Sequence, residues 1–158
     1  MKAEILDLAI YIFRTYPSPL QLSKPRLVKI MYLIDWKHCL DFGEQATDIN
    51  WFFNHYGPYV DDVINTLKNA PNDFIIKSYN NPFGGGMSDS IKLISERKIF
   101  ISNTVKQVTD LIISKTHHFD WTSFISLVYG TYPVKTSSKY TRLNLVQDAS
   151  QYKKGHKI

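Results

Sequence analysis

A chain of 158 residues has the length of one domain, and 44% apolar with 21% charged residues excludes wholesale disorder. The net charge of +5 is moderate. Much of it follows Val134, where Lys135, Lys139, Arg142, Lys153, Lys154 and Lys157 face only Asp148, so charge does not call for a nucleic-acid-binding body.

The single cysteine, Cys39, excludes an internal disulfide framework and fits a reducing cytoplasm. The opening MKAEILDLAIYIF carries Glu4 and Asp7 inside its apolar pattern, unlike a signal peptide. No run approaches the roughly 18–20 apolar residues of a membrane span. The expectation is a soluble cytoplasmic protein.

In chain order, Ile5, Leu6, Ala9, Ile12, Phe13 and Tyr16 fall at helical spacing, and Pro17 and Pro19 stop that helix. Ser23 suits the N-cap of a second helix over 24–42, with Pro25 in its first turn and Gly43 at its end. Its apolar residues form a belt rather than a stripe, which predicts a central position. Ile49, Trp51 and Phe53 alternate with polar residues as in a strand.

Pro58 then reads as the first residue of a helix over 58–69. Asp61 and Asp62 lie near its positive end, and Val60, Val63, Ile64 and Leu67 form its inner side. Residues 74–79 and 90–94 read as two strands joined by the glycine-rich NNPFGGGMSD. Ser102 and Asp120 cap helices over 103–115 and 121–129. The sum is a mainly helical α+β domain, about five helices around one core with a small antiparallel sheet and a glycine-rich hairpin loop. Residues 1–134 form that domain, and 135–158 a basic, flexible tail.

No spacing of residues points to catalysis, and no cofactor motif appears. His38, Cys39, His55, His117 and His118 lack metal-ligand spacing. Cys39 lies among core residues, where a thiol behaves as a small hydrophobe. GGG at 84–86 lacks the Lys-Ser/Thr of a phosphate loop. The expectation is a non-enzyme without metal or cofactor. The helix pair and hairpin invite comparison with winged helices, but Asp61 and Asp62 would repel a phosphate backbone. The remaining reading is a partner surface at FFNHYGPYVDDVINTL, where His55, Tyr56 and Tyr59 surround a Gly-Pro step.

KPRLVKIMYLIDWKHCLDFGE followed by FFNHYGPYVDDVINTL resembles the Panacea, or SocA-like, antitoxin domain family. Leu27, Lys29, Ile30, Tyr32 and Leu33 match that family's Leu-x-Lys-Leu-Leu-Tyr type of helix. Trp51, Phe53, Tyr56, Gly57 and Pro58 match its strand and Tyr/His-Gly-Pro step. DWTSFISLVYGTYPV resembles its closing helix, with Val128-Tyr129 and Val134 where the family often has a Thr-His pair and a Trp. The resemblance implies neutralisation of a toxin by direct contact. His55, Tyr56, Tyr59, Asp61 and Asp62 are the expected toxin-facing residues, and acids there would suit a basic toxin surface. The alternatives are a DNA-binding autorepressor, a phage-defence regulatory module and a proteolysis adaptor for a toxin. Weak nucleic-acid contact through the tail and homo-oligomerisation stay open as further partners.

Overall fold

The computed structural model describes residues 2–155. Among them, α1 (Ile5–Thr15) leads through a 3-10 turn (Pro19–Gln21) into α2 (Lys24–Phe42), the longest element. The Ser23 side chain accepts from the Arg26 N–H, and Gly43 ends the helix with φ +78°, donating back to the Cys39 carbonyl. Between those caps, 13 of the 19 residues are buried. They are buried all round because α4, α7 and both hairpins pack against α2.

Asp35 explains the path of the chain after α2. This fully buried carboxylate accepts from Thr47 N (2.8 Å), Thr47 Oγ1 (2.6 Å), Trp51 Nε1 (2.8 Å) and Gln45 Nε2 (3.2 Å). Burial pushes it up to about 6, while the donors from Thr47 and Trp51 pull it back. The loop is thereby pinned to α2, and Trp51 lies edge-on to Tyr32 with centroids 5.6 Å apart.

β1 (Phe52–Asn54) and β2 (Gly57–Tyr59) follow as an antiparallel hairpin, pairing Phe52 with Tyr59, Phe53 with Pro58 and Asn54 with Gly57. The helix expected over 58–69 therefore begins only at Asp62, as α3 (Asp62–Lys68). Gly57 takes φ +103°, which suits glycine, and sends the chain back along β1. Pro58 fits a strand here because Phe53, opposite it, bonds on its other side: Phe53 N donates to Thr141 O, and Tyr140 N donates to Phe53 O. α3 buries Val63, Ile64 and Leu67 as expected, whereas Val60 is only half-buried outside the helix. Asp61 stands at the N-cap position without a side-chain cap bond.

β3 (Phe74–Asn80) and β4 (Met87–Leu93) pair antiparallel throughout, so each strand extends further into the glycine-rich segment than its sequence suggests. Gly84, Gly85 and Gly86 at the turn all have positive φ. Ser102 and Asp120 cap α4 (Asn103–Thr116) and α5 (Trp121–Tyr129) as anticipated.

Two helices beyond those expected, α6 (Tyr132–Thr136) and α7 (Leu145–Gly155), complete the described chain. The segment expected as a flexible tail thus carries the end of α6 and all of α7. Residues 140–143 run along the free edge of β1, with Leu143 N donating to Trp51 O. Leu143, Leu145 and Ala149 are buried, and the Tyr152 ring meets Trp36 and Tyr132. Lys135, Lys139, Arg142, Lys153 and Lys154 stay exposed on this folded segment, and Lys157 lies outside the described residues. No helix among the described residues is long and apolar enough to cross a membrane.

Candidate functional site

Three segments converge on a cavity of about 580 Å³: the start of α2, the β1–β2 hairpin and α5. Helical spacing explains the α5 wall, since Trp121, Ile125 and Tyr129 recur every fourth residue on one face. α2 contributes Lys24 and Pro25 from its first turn and Lys29 from the next. The hairpin adds Asn54, His55 and Tyr56 at its turn and Tyr59 from β2.

Arg26 and Tyr32 hold these walls in place. Arg26 Nη2 donates to the Thr116 and Phe119 carbonyls (3.0 and 2.7 Å), and Nε donates to the Tyr16 hydroxyl (3.0 Å). Its guanidinium also stands 4.5 Å over the Phe124 ring, locking the entry of α5 against α2. At the far end of α5, Thr131 donates to Val128 O, so the Tyr32 hydroxyl donates to Thr131 Oγ1 at 2.8 Å. The third wall is close-packed too: a methyl group in place of the Gly57 hydrogen would lie 3.6 Å from the Tyr129 ring.

Of the five residues expected to face a partner, His55, Tyr56 and Tyr59 meet in this cavity. His55 is exposed, with Nδ1 3.1 Å from the Tyr140 hydroxyl and its ring edge-on to Tyr56. Tyr56 is 74% exposed, a large aromatic face turned to solvent. Tyr59 is half-buried, and burial together with the Asp61 carboxylate pushes its hydroxyl up to about 12. Asp61 and Asp62 are exposed but line no part of the cavity. The acids are neighbours of the aromatic site rather than parts of it.

Sequence reasoning missed the basic side of the site. Lys29 is only 3% exposed, and its ammonium lies 5.6 Å from the centroid of the Tyr59 ring. Lys24 approaches the same ring at 5.9 Å. Burial and the like charge of Lys24 push Lys29 down to about 8, so it remains mainly protonated at neutral pH. The available signal was a lysine between Val28 and Ile30, inside an otherwise apolar belt.

The other candidate groups stand apart. His38 is buried, bridging the Glu44 carbonyl (2.7 Å) and Thr104 Oγ1 (3.0 Å) rather than lying at the surface. Burial pushes the Cys39 thiol up to about 12, which keeps it protonated and weakly nucleophilic. Among the described residues, no three His, Cys, Asp or Glu side chains are grouped to hold a metal ion.

The profile of the family described as "Antitoxin SocA-like, Panacea domain" matches residues 27–133, spanning α2 to the start of α6 and all three walls of the cavity except its first two residues. No curated protein and no solved structure matches the chain. The chain belongs to the SocA-like Panacea antitoxin domain family.

Proposed function

We propose that this protein is an antitoxin that neutralises a cognate toxin by direct, non-enzymatic contact in the cytoplasm, using the β1–β2 hairpin and the cavity behind it. The observation that carries the assignment to this surface is Tyr56, 74% exposed at the mouth of an aromatic-lined cavity. Tyrosine in such a place supplies a large contact area at low entropic cost, the usual character of an interface anchor. His55 and Tyr59 extend the anchor, and Asp61 and Asp62 form an acidic rim beside it. Family membership supports the toxin as partner. We further read residues 2–155 as one folding unit, because the segment after Val134 completes the edge of β1 and the packing of α2.

The experiment is co-expression with a candidate toxin encoded beside the gene, scored as colony survival. Tyr56→Ala and the pair Asp61→Lys/Asp62→Lys should lower rescue while the purified variants melt normally. Loss of the dominant anchor should weaken the complex by about 2 kcal/mol or more, and the rim acids by less. Full rescue by all variants would move the toxin surface elsewhere.

A further inference from the structure

The cavity contains a charge that toxin contact through Tyr56 leaves unexplained. Lys29 is only 3% exposed, its ammonium opens onto the cavity, and it has neither a hydrogen bond nor an ion pair with any described residue. A largely desolvated cation facing a cavity is stabilised by an anion placed there, and a second cation beside it strengthens that preference. Lys24 is such a second cation, held over the same Tyr59 ring. The first residues of α2 and α5, Lys24 and Trp121, both line the cavity, so the positive ends of two helix dipoles lie beside it. No carboxylate, Asp89 near the Tyr59 hydroxyl included, forms an ion pair with Lys24 or Lys29 among the described residues. Asp120 is exposed and engaged as the α5 cap, accepting from Ser123 N at 2.7 Å, and Asp61 acts on the Tyr59 hydroxyl.

Tyr56, Trp121, Ile125 and Tyr129 give the wall a largely aromatic and apolar face, with Asn54 and His55 at the hairpin turn. We propose that this cavity binds a small anion carried on a planar apolar ring, with the Lys29 ammonium as counter-charge and the aromatic side chains as ring contacts. A cavity of about 580 Å³ falls within the roughly 300–1,000 Å³ of small-ligand sites. Carboxylate and phosphate monoester share the required chemistry, since each presents anionic oxygens to an ammonium donor. The aromatic walls add stacking and edge contacts to the ring. Such a ligand would occupy the mouth at Tyr56 and compete with a partner seated there.

Binding is measured on the purified full-length chain by tryptophan fluorescence. Trp121 is 44% exposed on the cavity wall, whereas Trp36 and Trp51 are buried. The probes are 3-phenylpropionate and phenyl phosphate, with acetate and inorganic phosphate as ring-less controls. 3-Phenylpropionamide serves as the neutral control. At least one ring-bearing anion should give a saturable change that disappears in Trp121→Phe. Its ring-less and neutral counterparts, and Lys29→Met with the wild-type probe, should each bind at least about tenfold more weakly. The tighter of the two anions identifies the carboxylate or phosphate source. No saturation by either up to about 10 mM overturns the proposal. So does equal binding of the neutral amide, which needs no variant, or unchanged affinity in Lys29→Met. No toxin enters this measurement, so its outcome is independent of toxin neutralisation.

Discussion

Replacing Lys29 by Met should stabilise the empty protein. Burial, and then the like charge of Lys24, disfavour the charged form of Lys29 on folding and push it from the ordinary 10.5 down to about 8. At 1.36 kcal/mol per unit this corresponds to a cost of about 3 kcal/mol at neutral pH, where the lysine is protonated in both folded and unfolded chains. Methionine keeps an unbranched apolar stem and removes the charge. The sign of the pH dependence follows from proton counting. Between pH 8 and 10.5 the unfolded chain holds more protons at this site than the folded one, so its contribution to wild-type stability improves as pH rises. The advantage of Lys29→Met should therefore be about 3 kcal/mol at pH 7 and shrink steadily towards pH 10.5. Other lysines and tyrosines titrate in that window, so the informative quantity is the difference between the two proteins. Urea unfolding of both at half-unit pH steps supplies it. A difference that stays flat from pH 7 to 10.5, or a variant less stable at pH 7, would refute the desolvated, unpaired charge.

Truncation after Val134 should unfold the protein rather than trim it, since it removes the buried Leu143 and Leu145 and the backbone partners of β1. Each buried leucine alone contributes about 2–5 kcal/mol, and a cooperative far-UV melt near the full-length temperature would contradict this. Asp35→Ala should cost about 3 kcal/mol or more by orphaning Trp51 Nε1 and the Thr47 donors, read by the same unfolding curves. The wild-type Asp35 contribution should also decline as pH rises from the ordinary 3.8 through about 6, because its folded value is raised; Asp35→Ala should lack this component. Gly57→Ala should cost about 1–3 kcal/mol, because φ +103° is strained for a residue with a Cβ, and urea unfolding would show an unchanged midpoint if the strain were absent.

Elements with strong local end signals are legible in the sequence. Ser23 and Gly43 bracket α2, and Ser102 and Asp120 open α4 and α5, because a cap acts through its own backbone neighbours. Trp51 and Phe53 of the alternating strand, and Val63, Ile64 and Leu67 on the inner side of α3, are buried. The Gly-Pro corner misleads because proline at a helix start and proline opposite a non-bonded strand residue look alike locally. The bonds from residues 140–143 to the β1 segment, distant in sequence, decide between them and leave no local trace. The same distance hides the role of the last segment, whose sparse Leu143, Leu145 and Ala149 read as isolated apolar residues among lysines. For the site, the aromatic cluster His55, Tyr56 and Tyr59 is visible as a contiguous motif. Its wall on α5 and its lysines on α2 become neighbours only on folding.

The most direct measurement is a calorimetric titration of the purified protein, wild type and Tyr56→Ala, with the purified toxin. The exposed anchor should make the wild-type complex at least about 30-fold tighter than that of Tyr56→Ala, corresponding to about 2 kcal/mol, while the two proteins share one melting temperature. Equal affinity for the two proteins, or no heat of binding with either, would contradict neutralisation through this hairpin.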